Sequence, residues 1–333
     1  MITLDKVTKT YNKGKVTAIK DVSLEVKPGE LFGLIGPDGA GKTTIFRILT
    51  TLLLADKGTA TVNGCDVVKD YVKIRSSVGY MPGKFSLYQD LTIEENLHFF
   101  ATVFGTTIRE NYDLIKDIYQ QIEPFKDRRA GKLSGGMKQK LALCCALIHK
   151  PAVLFLDEPT TGVDVVSRKE FWEMLARLKA EGITIMVSTP YMDEANRCDR
   201  IALIQKGTIL SIDTPAGIIK QFPVSLYAVQ AVNTHRLLTE VRGYPGTESC
   251  FAFGDALHVT LKGEVTGATA KTAGTTGSTA GRPTGDAASG AAEAVAGKAP
   301  GLAAYLRERG LADVSVEKIT PGIEDCFIHL LKD

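Results

Sequence analysis

Apolar residues gather in short, turn-bounded runs through the first two thirds of the chain. Leu31-Phe32-Gly33-Leu34-Ile35, Ala152 to Leu156 and Ile183 to Val187 are apolar without alternation. That pattern predicts strands covered on both faces of a parallel sheet. Ile2 to Thr10, Val16 to Val26 and Thr59 to Val62 are β-rich and broken by turns such as Asn63-Gly64, which predicts an antiparallel layer beside that sheet. Thr92 and Glu95 form a capping-box pair opening a helix through Phe100. Ile45, Ile48, Leu49 and Leu52 give another helix, after the Leu31–Ile35 strand, its buried face. Alternating strands and helices over residues 1–222 define an α/β domain.

The pattern changes after Pro223. Val224 to Val232 reads as a strand, Thr234 to Arg242 as a helix, and Ser249 to Leu261 as a hairpin around Gly254-Asp255. Leu302 to Arg309, Val314 to Ile319 and Ile323 to Leu331 follow as helix, strand and helix. Residues 223–333 are therefore expected to form a small α+β domain of ferredoxin-like kind. Between Gly263 and Gly301 lies a Gly/Ala/Thr-rich stretch with almost no large apolar residues. Burial cannot offset its ordering entropy, so it is expected to be a disordered loop.

Composition narrows the function classes. Of 333 residues, 23% are charged and 44% hydrophobic, values ordinary for a soluble globular protein. A net charge of +2 gives no reason to expect nucleic acid as a partner. No apolar run approaches the ~20 residues that cross a bilayer, and Met1 to Lys6 lacks the layout of a signal peptide. Any membrane role is then expected to come through a partner. Cys65, Cys144, Cys145, Cys198, Cys250 and Cys326 form no CxxC pair and read as reduced, mostly buried thiols.

The candidate chemistry lies in three motifs. Gly36-Pro37-Asp38-Gly39-Ala40-Gly41-Lys42-Thr43 follows a predicted strand and opens a helix. Its glycines let backbone N–H groups curl around phosphate oxygens, and the helix N-terminus adds partial positive charge. Lys42 can reach the β- and γ-phosphates of a nucleotide, and the Thr43 hydroxyl can ligate Mg²⁺. About 115 residues on, an apolar strand ends in Asp157, followed directly by Glu158. Asp157 would hold Mg²⁺ through an intervening water, and Glu158 is placed to polarise the attacking water. Just upstream, Leu133-Ser134-Gly135-Gly136-Met137 reads as a second glycine-rich helix start, with Ser134 as its N-cap and apolar Met137, Leu141, Cys144 and Ile148 along the helix.

The order of P-loop, Leu-Ser-Gly-Gly, then Asp157-Glu158-Pro159-Thr160-Thr161-Gly162-Val163-Asp164 resembles the ABC ATPase family over residues 1 to about 220. The resemblance implies a P-loop NTPase fold of the ABC type: a mixed sheet, an antiparallel β layer and a helical signature subdomain, followed here by the small α+β domain. It implies that Gly36, Pro37, Asp38, Gly39, Ala40, Gly41, Lys42, Thr43 and Thr44 bind ATP, with Thr43 and Asp157 at Mg²⁺ and Glu158 catalytic. It implies head-to-tail pairing with a second ABC ATPase domain. There Ser134, Gly135 and Gly136 touch the γ-phosphate held by the partner, and Asp164 lines the seam. Tyr11 stands where the family places an aromatic on adenine; from position alone it serves equally as a core aromatic of its strand.

Cys198-Asp199-Arg200-Ile201, Asp213-Thr214-Pro215 and the small C-terminal domain look most like ATPase subunits of ABC-2 type exporters. The implied partner is an integral membrane permease, and the implied place the cytoplasmic face of the membrane. The alternative is a soluble ABC ATPase acting on ribosomes or nucleic acid. Such chains carry two ATPase domains or long coiled coils, and this sequence has a single P-loop and no sustained heptads. Two positions depart from the family. Gly83 follows Gly79-Tyr80-Met81-Pro82 where Gln is usual, with Gln89 six residues on, and Pro190 follows Ser188-Thr189 where His is usual. Proline offers no side-chain donor. The expectation is slow turnover at this chain's own P-loop and pairing with a more conventional ATPase domain. The rival is a homodimer in which Glu158 suffices.

Overall fold

The computed structural model describes residues 1–265 and 299–331. Its chain runs β1 (Ile2–Tyr11), β2 (Val16–Val26), β3 (Leu31–Ile35), α1 (Lys42–Leu49), β4 (Lys57–Val62) and β5 (Cys65–Asp66). α2 (Tyr71–Ser77), β6 (Val78–Met81), α3 (Ile93–Val103), α4 (Tyr112–Tyr119) and α5 (Gly135–Leu147) come next. Then follow β7 (Val153–Asp157), α6 (Val165–Ala180), β8 (Thr184–Thr189), β9 (Arg200–Gln205), β10 (Thr208–Asp213) and α7 (Pro215–Lys220). β11 (Val224–Gln230), α8 (Thr234–Gly243), β12 (Thr247–Phe253), β13 (Ala256–Val265), α9 (Ala299–Glu308), β14 (Ser315–Ile319) and α10 (Ile323–Leu330) complete it. Two units divide the chain, Met1–Ile218 and Ile219–Asp333.

In the first unit the unalternating apolar runs lie in a six-stranded sheet of order β10-β9-β3-β8-β7-β6. Every residue of β3, β7 and β8 is buried, as strands covered on both faces require. β9, β3, β8, β7 and β6 are parallel, and β10 joins antiparallel. The alternating N-terminal strands form a separate antiparallel sheet, β2-β1-β4-β5. One core includes residues of both sheets and α1. Ile2, Leu4, Val22 and Leu24 share it with Ile45, Phe46, Ile48 and Phe155, and Phe46 meets Phe155 edge-on at 5.9 Å. Leu52 is not part of this face. α1 ends at Leu49, Thr51 takes a left-handed φ of 62°, and Leu52 turns outward, 58% exposed.

α3 carries the full capping box, Thr92 accepting from the Glu95 N–H and Glu95 from the Thr92 N–H. It packs, with α4, against α5, the helix that begins at the Leu-Ser-Gly-Gly motif.

The second unit has the order β-α-β-β-α-β followed by α10, with its sheet arranged β12-β13-β11-β14 and every neighbour antiparallel. This is the ferredoxin-like arrangement. Leu237 and Val241 of α8 and Leu302 and Leu306 of α9 bury against Val229, Leu257 and Val259 of the sheet. Asp325 of α10 lies 2.7 Å from the ring of His258 on β13. The loop expected over 263–301 is shorter at both ends, because β13 continues through Val265 and α9 starts at Ala299. The remainder of that expectation, 266–298, lies outside the described residues.

Candidate functional site

The Gly36–Thr43 turn links the C-terminal end of β3 to the first turn of α1. Gly41 stands before the helix with φ 106°, and a Cβ there would come within 2.6 Å of the Ala18 carbonyl. Only glycine fits both the conformation and the space. The turn is further fixed by Ala40 N–H to the Pro37 carbonyl and Gly36 N–H to the Thr189 carbonyl at the end of β8. The Lys42 ammonium, whose side chain is 2% exposed, folds back over the turn. It donates to the carbonyls of Gly36 (2.8 Å) and Pro37 (3.0 Å) and lies 3.0 Å from Glu158 Oε1.

That ion pair brings together two motifs 116 positions apart, Lys42 and Glu158. Asp157 ends β7, beside β8, and is 2% exposed. Its Oδ1 accepts from Ser188 Oγ at 2.7 Å. Glu158 takes a left-handed φ of 52°, a conformation that costs a non-glycine residue about 1–3 kcal/mol and persists only where its surroundings impose it. Here Ser188 imposes it. The Glu158 N–H donates to both the carbonyl and the hydroxyl of Ser188, at 3.1 and 3.0 Å. Tyr80 is pushed up to about 12, first by burial and then by the negative charge of Asp157.

Tyr11, at the end of β1, has its hydroxyl 3.5 Å from Thr44 Oγ1, which places it beside the P-loop helix. Thr43 sits on the first turn of α1. Thr43 and Asp157 are hard oxygen donors of the type Mg²⁺ takes.

Gly83 comes close to the same strand end. A Cβ built on it would lie 3.0 Å from the Asp157 carbonyl oxygen. Gln89 is held elsewhere by its backbone. Its carbonyl accepts from Gly131 N–H at 2.9 Å, tying it to the turn that leads into the signature motif.

Ser134 caps α5, accepting from the Met137 N–H at 3.3 Å. Ser134 and Gly135 are exposed, so the helix start is presented outward. It lies against the loop containing Asp164. The Cβ position of Gly135 is 3.2 Å from the Gly162 carbonyl, and that of Gly136 is 2.8 Å from Ser167 Oγ. Asp164 itself caps α6 by accepting from Ser167 N–H at 3.0 Å. Signature and seam residues thus occupy one surface, flanked by Val165 and Val166, which are 78% and 68% exposed.

Sequence reasoning missed Ser188, Glu194 and Arg168. Ser188 stood only as the frame for position 190, although a hydroxyl following the apolar run Ile185-Met186-Val187 was a readable signal. Glu194 and Arg168 lie in strongly polar runs, where nothing distinguishes a buried carboxylate from a solvated one.

A phosphate-cradling turn, its lysine and a strand-end Asp-Glu pair, joined on a parallel sheet, define a P-loop nucleotide-binding ATPase domain. Comparison with known proteins adds the family. Residues 19–161 match the family described as ABC transporter. The chain is 39% identical over 221 residues to the Nod factor export ATP-binding protein I of Paraburkholderia xenovorans (strain LB400), covering 66% of this chain and 72% of that one. It is 33% identical over 336 residues to the probable multidrug ABC transporter ATP-binding protein YbhF of Escherichia coli (strain K12). That match takes 99% of this chain but 52% of the relative, so the chain spans about half its length. Among solved structures, the dimeric ATP-binding cassette MJ0796 in a post-hydrolysis state bound to ADP and Pi superposes with a TM-score of 0.59 at 26% identity. It covers 64% of this chain and 98% of that one. The chain belongs to the ABC transporter ATP-binding family.

Proposed function

We propose that this chain is the ATP-binding subunit of an ABC-2 type exporter, coupling MgATP binding and hydrolysis to transport by a separate membrane subunit at the cytoplasmic face. The observation that carries the reading is the junction of Lys42, Gly36, Pro37 and Glu158. The ammonium that would neutralise the β- and γ-phosphates sits next to the carboxylate that would polarise the attacking water. Thr43 and Asp157 would hold Mg²⁺, whose charge offsets that of the phosphates when bound. Tyr11 would stack on adenine.

Export is supported by the relatives, one named for Nod factor export and one for multidrug transport. The difference between those names leaves cargo to the membrane partner. None of the described helices is long and apolar enough to cross a membrane, and the reading gives the pore to a separate subunit. A groove between β6, α3 and α5, of about 310 Å³ and lined by Leu87, Phe100, Phe104, Ala146 and His149, is the surface we assign to that subunit. Affinity purification of the tagged chain from membranes tests the assignment. An integral membrane protein is expected to co-purify and to be lost on Phe104→Glu. Recovery of ribosomes or nucleic acid instead would support the soluble alternative.

The own P-loop half-site lacks the usual Gln and His, while the signature start is complete and exposed. This asymmetry supports pairing with a second, more conventional ABC ATPase domain. There this chain's Ser134, Gly135 and Gly136 would complete the faster site.

A further inference from the structure

The segment after β8 holds a buried carboxylate that the nucleotide site does not use. Glu194, in the short 3-10 helix Met192–Arg197, is 4% exposed. Both its oxygens are engaged. Oε2 accepts from the hydroxyls of Thr160 (3.1 Å) and Thr189. Oε1 accepts from Arg168 through Nε at 3.1 Å and Nη2 at 2.9 Å. The Arg168 guanidinium is capped on one face by the Tyr191 ring, 4.2 Å away, and the Tyr191 N–H returns to Thr189 Oγ1 at 3.1 Å.

These partners come from three separate places. Thr189 ends β8, and its carbonyl also receives the Gly36 N–H that starts the P-loop. Thr160 lies two residues past Glu158. Arg168 lies one turn into α6, the helix capped by Asp164, and its neighbour Ser167 abuts Gly136. Glu194 therefore spans the loop 160–168 from both ends and ties it to the C-terminal end of β8, where the P-loop begins. A charged group this deeply buried is retained only with its hydrogen bonds complete. Charge-assisted bonds of this kind fix geometry as well as adding energy.

We propose that Glu194 is a positioning residue: by clamping Thr160, Thr189 and Arg168 it holds the Asp164 loop and the signature start in the register needed to complete the nucleotide site of the paired ATPase domain. The proposal rests on the head-to-tail pairing proposed above. Where Pro190 gives the loop no side-chain donor toward phosphate, the neighbouring residues serve the seam instead. The residue acts through others and touches no phosphate.

The test uses the full chain in the assembly with which it purifies. ATP turnover and ATP affinity are measured for Glu194→Ala, Glu194→Gln, Asp164→Ala and Ser134→Ala. The clamp predicts that Glu194→Ala lowers kcat about tenfold or more, the size of effect expected when reacting groups are misplaced by an ångström. KM and the ATP affinity of the P-loop are expected to stay within about two-fold, since ground-state binding is untouched. Glu194→Gln keeps the shape but drops the charge facing Arg168 and turns one accepting oxygen into a donor, so its turnover is expected to fall between that of Glu194→Ala and that of the unchanged chain. If Asp164→Ala and Ser134→Ala lower turnover while Glu194→Ala does not, the clamp is wrong and the pairing stands. Should none of the three lower turnover, the pairing fails and the clamp with it. If Glu194→Ala weakens ATP affinity in parallel with kcat, or if Glu194→Gln turns over as fast as the unchanged chain, the role is general packing and the proposal is overturned.

Discussion

Lys42 carries the clearest prediction for a single residue. Its ammonium is anchored by two carbonyls and by Glu158, and its side chain lies under the turn that would wrap the phosphates. Lys42→Ala is expected to abolish nucleotide binding, measured by titration with a fluorescent ATP analogue, while circular dichroism stays native. Unchanged ATP affinity would remove Lys42 from the site. At the departures from the family pattern the structure sharpens what sequence could say. Restoring Pro190→His adds a donor at a half-buried loop position and is expected to raise turnover at the own P-loop. Gly83→Gln is not expected to do so alone. Its Cβ would press on the Asp157 carbonyl at 3.0 Å and shift the strand end that carries Asp157 and Glu158. Single-turnover rates of the two variants separate these outcomes. A larger gain from Gly83→Gln than from Pro190→His would show that the loop yields and the missing amide matters more.

At the scale of elements, local patterns carried most of the information. β3, β7 and β8 were legible because strands buried on both faces read as apolar runs without in/out alternation, their few polar residues gathered at the ends. α3 was legible from its cap pair, and the Leu-Ser-Gly-Gly helix start from Ser134. The capping box also yields a prediction. Thr92→Ala removes the acceptor for Glu95 N–H and is expected to destabilise the fold by about 1 kcal/mol, read from chemical denaturation, with ATP affinity unchanged. A loss beyond about 3 kcal/mol would point to a role the cap alone does not explain. Leu52 was misread because periodicity alone does not reveal that Thr51 turns the chain out of the helix. The ends of the 263–301 segment were misread because Gly263-Glu264-Val265 still extend β13 and Ala299-Pro300-Gly301 start α9, and the composition of the whole stretch hid both. The Glu194 clamp was not legible at all. It depends on three segments converging in space, and no local spacing records that.

For the whole molecule, the chain combines an ATPase unit and a ferredoxin-like unit. Residues 266–298 join β13 to α9 in sequence, and Val295 is the one large apolar residue among them. Replacing them with a short Gly/Ser linker is expected to leave ATP affinity and melting temperature unchanged, because closing a loop depends only weakly on its length. A large loss of either would show that the segment packs or acts. The central claim concerns how the ATPase unit works with a second one. Its P-loop half carries Gly83 and Pro190, whereas its exposed signature start is intact and braced against the Asp164 loop. The most direct measurement is ATP turnover of the purified assembly carrying either Ser134→Arg or Glu158→Gln in this chain. The account predicts a greater loss from Ser134→Arg, which spoils the partner's site, than from Glu158→Gln, which spoils only this chain's own. Brisk hydrolysis by the isolated chain, together with complete loss of assembly activity on Glu158→Gln, would contradict it.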